Sequence, residues 1–126
     1  MTMARAIWAA VLLVAMSGAS GADRDGVYAF HGVRNCWDYL IWRRTPNSVE
    51  HAMVGAWVAG YLTAYNRQTP DTVSILGKTD LDGALQWMEN WCHTHPTETL
   101  GDAMRALTEE FHARRYRTAK EAAERR

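Results

Sequence analysis

The sequence is poor in the features that usually announce a function. It has no apolar run of the roughly 20 residues that a membrane-spanning helix needs. The longest, Ala6 to Met16, has 11 residues, a helical rise of only about 16 Å against a hydrocarbon core of roughly 30 Å. Neither sign of charge is in surplus: 14 Lys+Arg face 14 Asp+Glu. The basic excess of a nucleic-acid-binding domain is therefore missing. There is no G-x-S-x-G, no H-E-x-x-H and no C-x-x-C, which argues against the common hydrolase, zinc-protease and dithiol chemistries. No internal repeat is visible. Cysteine is limited to Cys36 and Cys92.

What is present begins with an export signal. Met1 to Arg5 carries one positive charge, Ala6 to Met16 is apolar, and Ser17 to Ala22 consists of small residues. That order predicts a cleaved signal peptide over 1–22, with Ser20 and Ala22 as the small residues before the cut. No cysteine sits near the cut to carry a lipid, and no arginine pair marks folded export. The expected location is the periplasm or the extracellular medium. In that setting two cysteines predict one disulfide, Cys36–Cys92. Closing so long a loop is worth about 4 kcal/mol in the chain-entropy account.

The remaining chain reads as one small all-α domain of four helices. Residues 23–33 hold two glycines and no helical period, an irregular arm. Residues 34–112 form the disulfide-linked domain. Asn35 caps a first helix from Cys36 to about Arg43, with Asp38 three residues on. Asn47 or Ser48 caps the second, in which Val49, Met53, Trp57, Tyr61 and Tyr65 recur every four residues beside a Val54, Val58, Leu62 row. No charge occurs between Ala52 and Asn66, so this helix is expected to be central and buried. Residues 67–80 form a long connection. Thr79 is expected to cap the third helix and Thr99 the fourth, with Asp82 and Asp102 as their reciprocal acids. The inner stripes are Leu81, Ala84, Leu85, Met88 and Cys92, then Leu100, Ala103, Met104, Leu107 and Phe111. Trp57, Gly60, Tyr61, Trp91 and Pro96 are assigned to the structural core. Residues 113–126 are strongly basic and are expected to be a fraying, solvated helix.

Few residues invite chemistry. Cys92, His93 and His95 could ligate a soft metal, but the disulfide would consume the thiolate, and histidines also suit a helix C-terminus. Asp80 and Asp82 fit helix capping better than paired-carboxylate catalysis. No cofactor, metal or enzymatic activity is expected. The aromatics remain. Trp37 and Trp42 lie on a helix too short to bury everything it carries, and Trp87 lies off its helix's inner stripe. These three are the candidate partner surface.

One pattern resembles a known family. It comprises Cys36-x-x-Tyr39-Leu40, Trp57-Val58-Ala59-Gly60-Tyr61-Leu62, Asp82-Gly83 and Trp87-Met88-Glu89-Asn90-Trp91-Cys92, followed by Pro96 and Ala103. Over residues 35–110 this is similar to the HdeA/HdeB-like family of small periplasmic helical proteins with one disulfide. The resemblance implies a protein-binding role without a catalytic site. The best-known members are acid-stress chaperones that leave a homodimer at low pH and cover unfolded clients. A looser resemblance, to Tai-type periplasmic immunity proteins, implies instead the inhibition of one cell-wall-degrading enzyme. Both readings expect a protein partner, no nucleic acid and no stable membrane insertion.

Overall fold

The computed structural model describes Ala22, residues 24–32 and residues 35–124. The expected signal peptide, apart from Ala22, lies outside the described residues, as do Arg125 and Arg126 at the basic end. The helices are α1 (Cys36–Arg43), α2 (Val49–Gln68), α3 (Leu81–Thr94), α4 (Leu100–Phe111) and a short α5 (Ala119–Ala123), with a 3-10 turn at His112–Arg114 between the last two. Among the described residues there is no strand, only the isolated bridges Asn35–Thr99 and Ser74–Tyr116. No described helix is long and apolar enough to cross a membrane.

Local chemistry sets the helix starts. The Asn35 side chain accepts from the Asp38 N–H at 2.8 Å, and Ser48 Oγ from the His51 N–H at 3.0 Å. Thr99 and Asp102 form a reciprocal capping box at α4. Each satisfies a backbone donor that the first helical turn leaves free. The start of α3 differs from expectation by one residue. The Thr79 N–H is engaged in a turn with the Leu76 carbonyl, and Asp80 becomes the cap, accepting from the Gly83 N–H at 2.9 Å.

The core forms where α1, α3 and α4 meet. Cys36, Tyr39 and Leu40 come from α1, Ala84, Leu85, Met88 and Cys92 from α3, and Leu100, Ala103, Met104, Leu107 and Phe111 from α4. The Tyr39 hydroxyl donates to the Leu85 carbonyl at 2.7 Å, inside the core. Burial pushes the Tyr39 phenol well above its ordinary pKa, because the phenolate would lose its water. Cys36 and Cys92 are bonded, and both are fully buried.

The second helix is not central. Of its 20 residues only Val54, Val58 and Leu62 are buried. They form a single stripe laid against α1 and α3. The physical reason is geometric: α3 already fills the position between α1 and α4, so α2 flanks the bundle with one face inward.

The described part of the basic tail is helical only at Ala119–Ala123, and Thr118 caps that short helix. After the 3-10 turn the chain runs extended and pairs with the 67–80 connection. The Tyr116 N–H donates to the Ser74 carbonyl at 2.9 Å, and the Tyr116 carbonyl accepts from the Val73 N–H at 2.8 Å. Asn66 supports the same loop by accepting from the Ile75 N–H at 2.8 Å, and Ile75 is fully buried beneath it.

Candidate interaction surface

Among the three tryptophans assigned to a partner surface, only Trp37 is well exposed, at 63%. Trp42 and Trp87 are half-buried against the core. The Trp87 indole donates to Glu110 Oε2 at 3.1 Å, and its ring meets Phe111 edge-on. Trp87 thus fastens α3 to α4, and Trp42 packs against the core, its backbone carbonyl lying 3.2 Å from His51 Nδ1. Both are corrected from surface to support: a tryptophan on a helix flank can bury its body while its edge stays wet.

Two residues assigned to the core also move. Gly60 is exposed on α2, and a Cβ added there would meet nothing within 4 Å. Pro96 is exposed in the α3–α4 turn, where the core ends with Cys92 and resumes at Leu100. Trp57, Tyr61 and Trp91 are half-buried and packed against the core rather than within it. Trp57 is covered by the N-terminal arm. Its indole donates to the His31 carbonyl at 2.7 Å, and Phe30 lies against its ring. The Tyr61 phenol is raised above its ordinary pKa by burial first, then by neighbouring Tyr28 and Tyr65. Trp91 stacks flat on His95, with ring centroids 4.1 Å apart.

Of the residues weighed for chemistry, Cys92, His95 and Asp80 are already engaged. The Cys92 sulfur is bonded to Cys36. His95 Nδ1 sits 2.9 Å from both the Trp91 carbonyl and the Thr94 hydroxyl. Asp80 caps α3.

The structure leaves a set of apolar side chains facing out. On α1, Trp37 and Ile41 are 63% and 46% exposed, and their four-residue spacing puts them on one face. On α2, Val49 and Met53 repeat the arrangement at 71% and 56%. Along the rest of α2, Ala52, Ala56, Gly60, Thr63 and Ala64 are exposed as well. Charge on that helix is confined to Glu50 in the first turn and Arg67 in the last. Large exposed apolar side chains on an uncharged helix face are chemically suited to contact with another polypeptide. Ile41, Val49 and Met53 were absent from the sequence-based surface. For Val49 and Met53 the signal that could have found them is the competition between two rows of α2, of which the Val54, Val58 and Leu62 row faces the bundle; for Ile41 it is the four-residue spacing from Trp37 on α1.

No family model, no curated protein and no solved structure matches the chain.

Proposed function

We propose that the protein is an exported polypeptide-binding domain that works in the manner of an acid-stress chaperone. The observation that carries this reading is the outward display of Trp37, Ile41, Val49 and Met53 by a bundle locked by a disulfide. Such side chains can cover an unfolded client, and the disulfide keeps the chain tied while acid loosens it. Acid has a point of attack in the described residues. The Thr99 hydroxyl, and then Arg105, hold the Asp102 carboxyl below its usual range, so its protonation removes half of the α4 capping box.

The test is client aggregation, followed by light scattering at about pH 2 and about pH 7, the acid value lying well below the ordinary carboxylate range. The expected result is suppression in acid only, reduced in the Trp37→Ser/Met53→Ser variant. Exposed substitutions of that kind usually change stability by no more than about 0.5 kcal/mol, so the variant reports on binding rather than folding. Absence of suppression at both pH values would overturn the reading. Equal suppression at both would favour a fixed neutral-pH surface, as an inhibitor of one enzyme requires.

A further inference from the structure

The folded-back tail creates a groove that the polypeptide-binding reading does not use. It has a volume of about 690 Å³ and lies between the loop at Leu76 to Thr79 and the segment at Ala113 to Arg117. That volume is within the range of small-molecule sites. Its walls carry four cations, Lys78, Arg114, Arg115 and Arg117, and one carboxylate, Glu121. The chain as a whole has no net charge, so this is a strong local concentration of positive charge.

The four cations are not equivalent. Arg115 is fixed in place: Nε donates to the Asp71 carbonyl and the Thr72 hydroxyl, both at 3.1 Å, and Nη1 to the His112 carbonyl at 2.6 Å. Its Nη2 is left over. Arg114 is held by Glu110 at 3.1 Å and lies over the Phe111 ring. The side chains of Lys78 and Arg117 have no hydrogen bond or ion pair within the described residues. Glu121 brings one negative charge to the same lining, its Oε2 accepting from the backbone N–H groups of Arg117 and Thr118, so the four cations still outnumber it. One positioned guanidinium, two uncommitted cations and the Thr79 hydroxyl thus border a single groove. Tyr116 and Leu76 add apolar surface to its lining.

We infer that this groove is a binding site for a phosphate-class anion, taken as the charged end of a small organic molecule or of a lipid headgroup. A planar guanidinium with free N–H groups matches the oxygens of such a group bidentately, and a lysine supplies a point charge beside it. The apolar lining suits the rest of the ligand. Lys78 and Arg117 are the residues whose loss should matter most, and neither supports the fold.

The experiment is calorimetric titration of the purified protein, with inorganic pyrophosphate as the probe, at low ionic strength. Saturable one-site binding is expected. Lys78→Ala/Arg117→Ala should weaken it by about tenfold or more, since charge-assisted hydrogen bonds are the stronger kind. Arg44→Ala/Arg67→Ala removes the same charge from exposed positions elsewhere and should leave affinity within about twofold. Amide shifts of the unsubstituted protein should concentrate at 76–79 and 113–117, a readout independent of any variant. Co-sedimentation with phosphatidylglycerol vesicles separates the sources. Retention lost in the groove variant identifies a headgroup, and no retention beside intact pyrophosphate binding identifies a soluble ligand. Non-saturable binding, shifts spread over the surface, or equal losses in the two double variants would overturn the assignment.

Discussion

Two glycines show how differently the same residue can act in this chain. Gly77 is buried, with φ at +57°, and a Cβ there would collide with the carbonyl oxygen of Arg114. Only glycine adopts that backbone and also lets the tail pass so close. Gly60 sits in mid-helix facing open space. There the missing side chain costs backbone entropy and permits nothing in return. The two alanine substitutions should therefore have opposite signs. Gly60→Ala is expected to stabilise by about 0.5–1 kcal/mol, the ordinary helix-propensity gain. Gly77→Ala should destabilise by more than about 1 kcal/mol, since alanine is strained at positive φ before the collision is counted. Urea melts of both variants decide the matter. A destabilised Gly60→Ala would mean that α2 packs closely against something along its outer row.

At the scale of the element, the helix boundaries were legible because capping is local. Asn35, Ser48 and Thr99 each act on a backbone N–H three residues away, and a reader of the sequence needs nothing more distant. The burial of α2 was not legible. A helix without charges from Ala52 to Asn66 offers no polar face to point outward, so its sequence fits a central position and a flanking one equally well. The candidate surface was readable in part for the same reason. Trp37 falls off the face formed by Cys36, Tyr39 and Leu40 on α1, whereas Val49 and Met53 share a row with the half-buried Trp57 and Tyr61. The tail was illegible for another reason. Its pairing of Tyr116 with Ser74 uses backbone groups far apart in sequence, which side-chain periodicity does not encode. The groove followed from that unseen pairing.

The cap of α4 also gives this element a pH dependence of known sign. Asp102 is held below its ordinary pKa by the Thr99 hydroxyl and by Arg105. A carboxyl lowered in the folded state stabilises it above the unfolded pKa of about 3.9, and the contribution is lost as pH falls through the lower folded value. Asp102→Asn should therefore be less stable than the parent near neutrality, and the gap should close with acidification. Chemical melts between about pH 6 and pH 2 span that window. A gap that stays constant would mean that the charge of Asp102 contributes nothing and only its shape matters.

For the whole molecule, the disulfide decides what kind of acid state is available. It joins the first residue of α1 to the end of α3, across 56 positions. It therefore encloses α1, α2, the whole 67–80 connection and most of α3 within one covalent loop, while α4 and the tail lie outside. A loop of that size is worth about 4 kcal/mol in the chain-entropy account, against a total stability of ~5–15 kcal/mol for a domain of this class. In acid the carboxylates lose their charge while the lysines, arginines and histidines keep or gain theirs, and the resulting self-repulsion favours expansion. The part of the chain free to expand is then α4 with its weakened cap, together with the tail. The tied α1–α2–α3 unit continues to display Trp37, Ile41, Val49 and Met53. Expansion of the oxidised chain at low pH should therefore be partial. Small-angle scattering near pH 2 should give a radius of gyration above the ~13 Å of a compact 100-residue chain and well below the ~30 Å of an unfolded one. Reduction under the same conditions should carry it close to the unfolded value, and at neutral pH should lower the melting temperature by more than about 15 °C, given ~4–8 °C per kcal/mol for a domain of this size. If the oxidised and reduced chains expanded equally in acid, the disulfide would not be what restrains the acid state. The proposed chaperone would then need another way to keep its client-binding faces together.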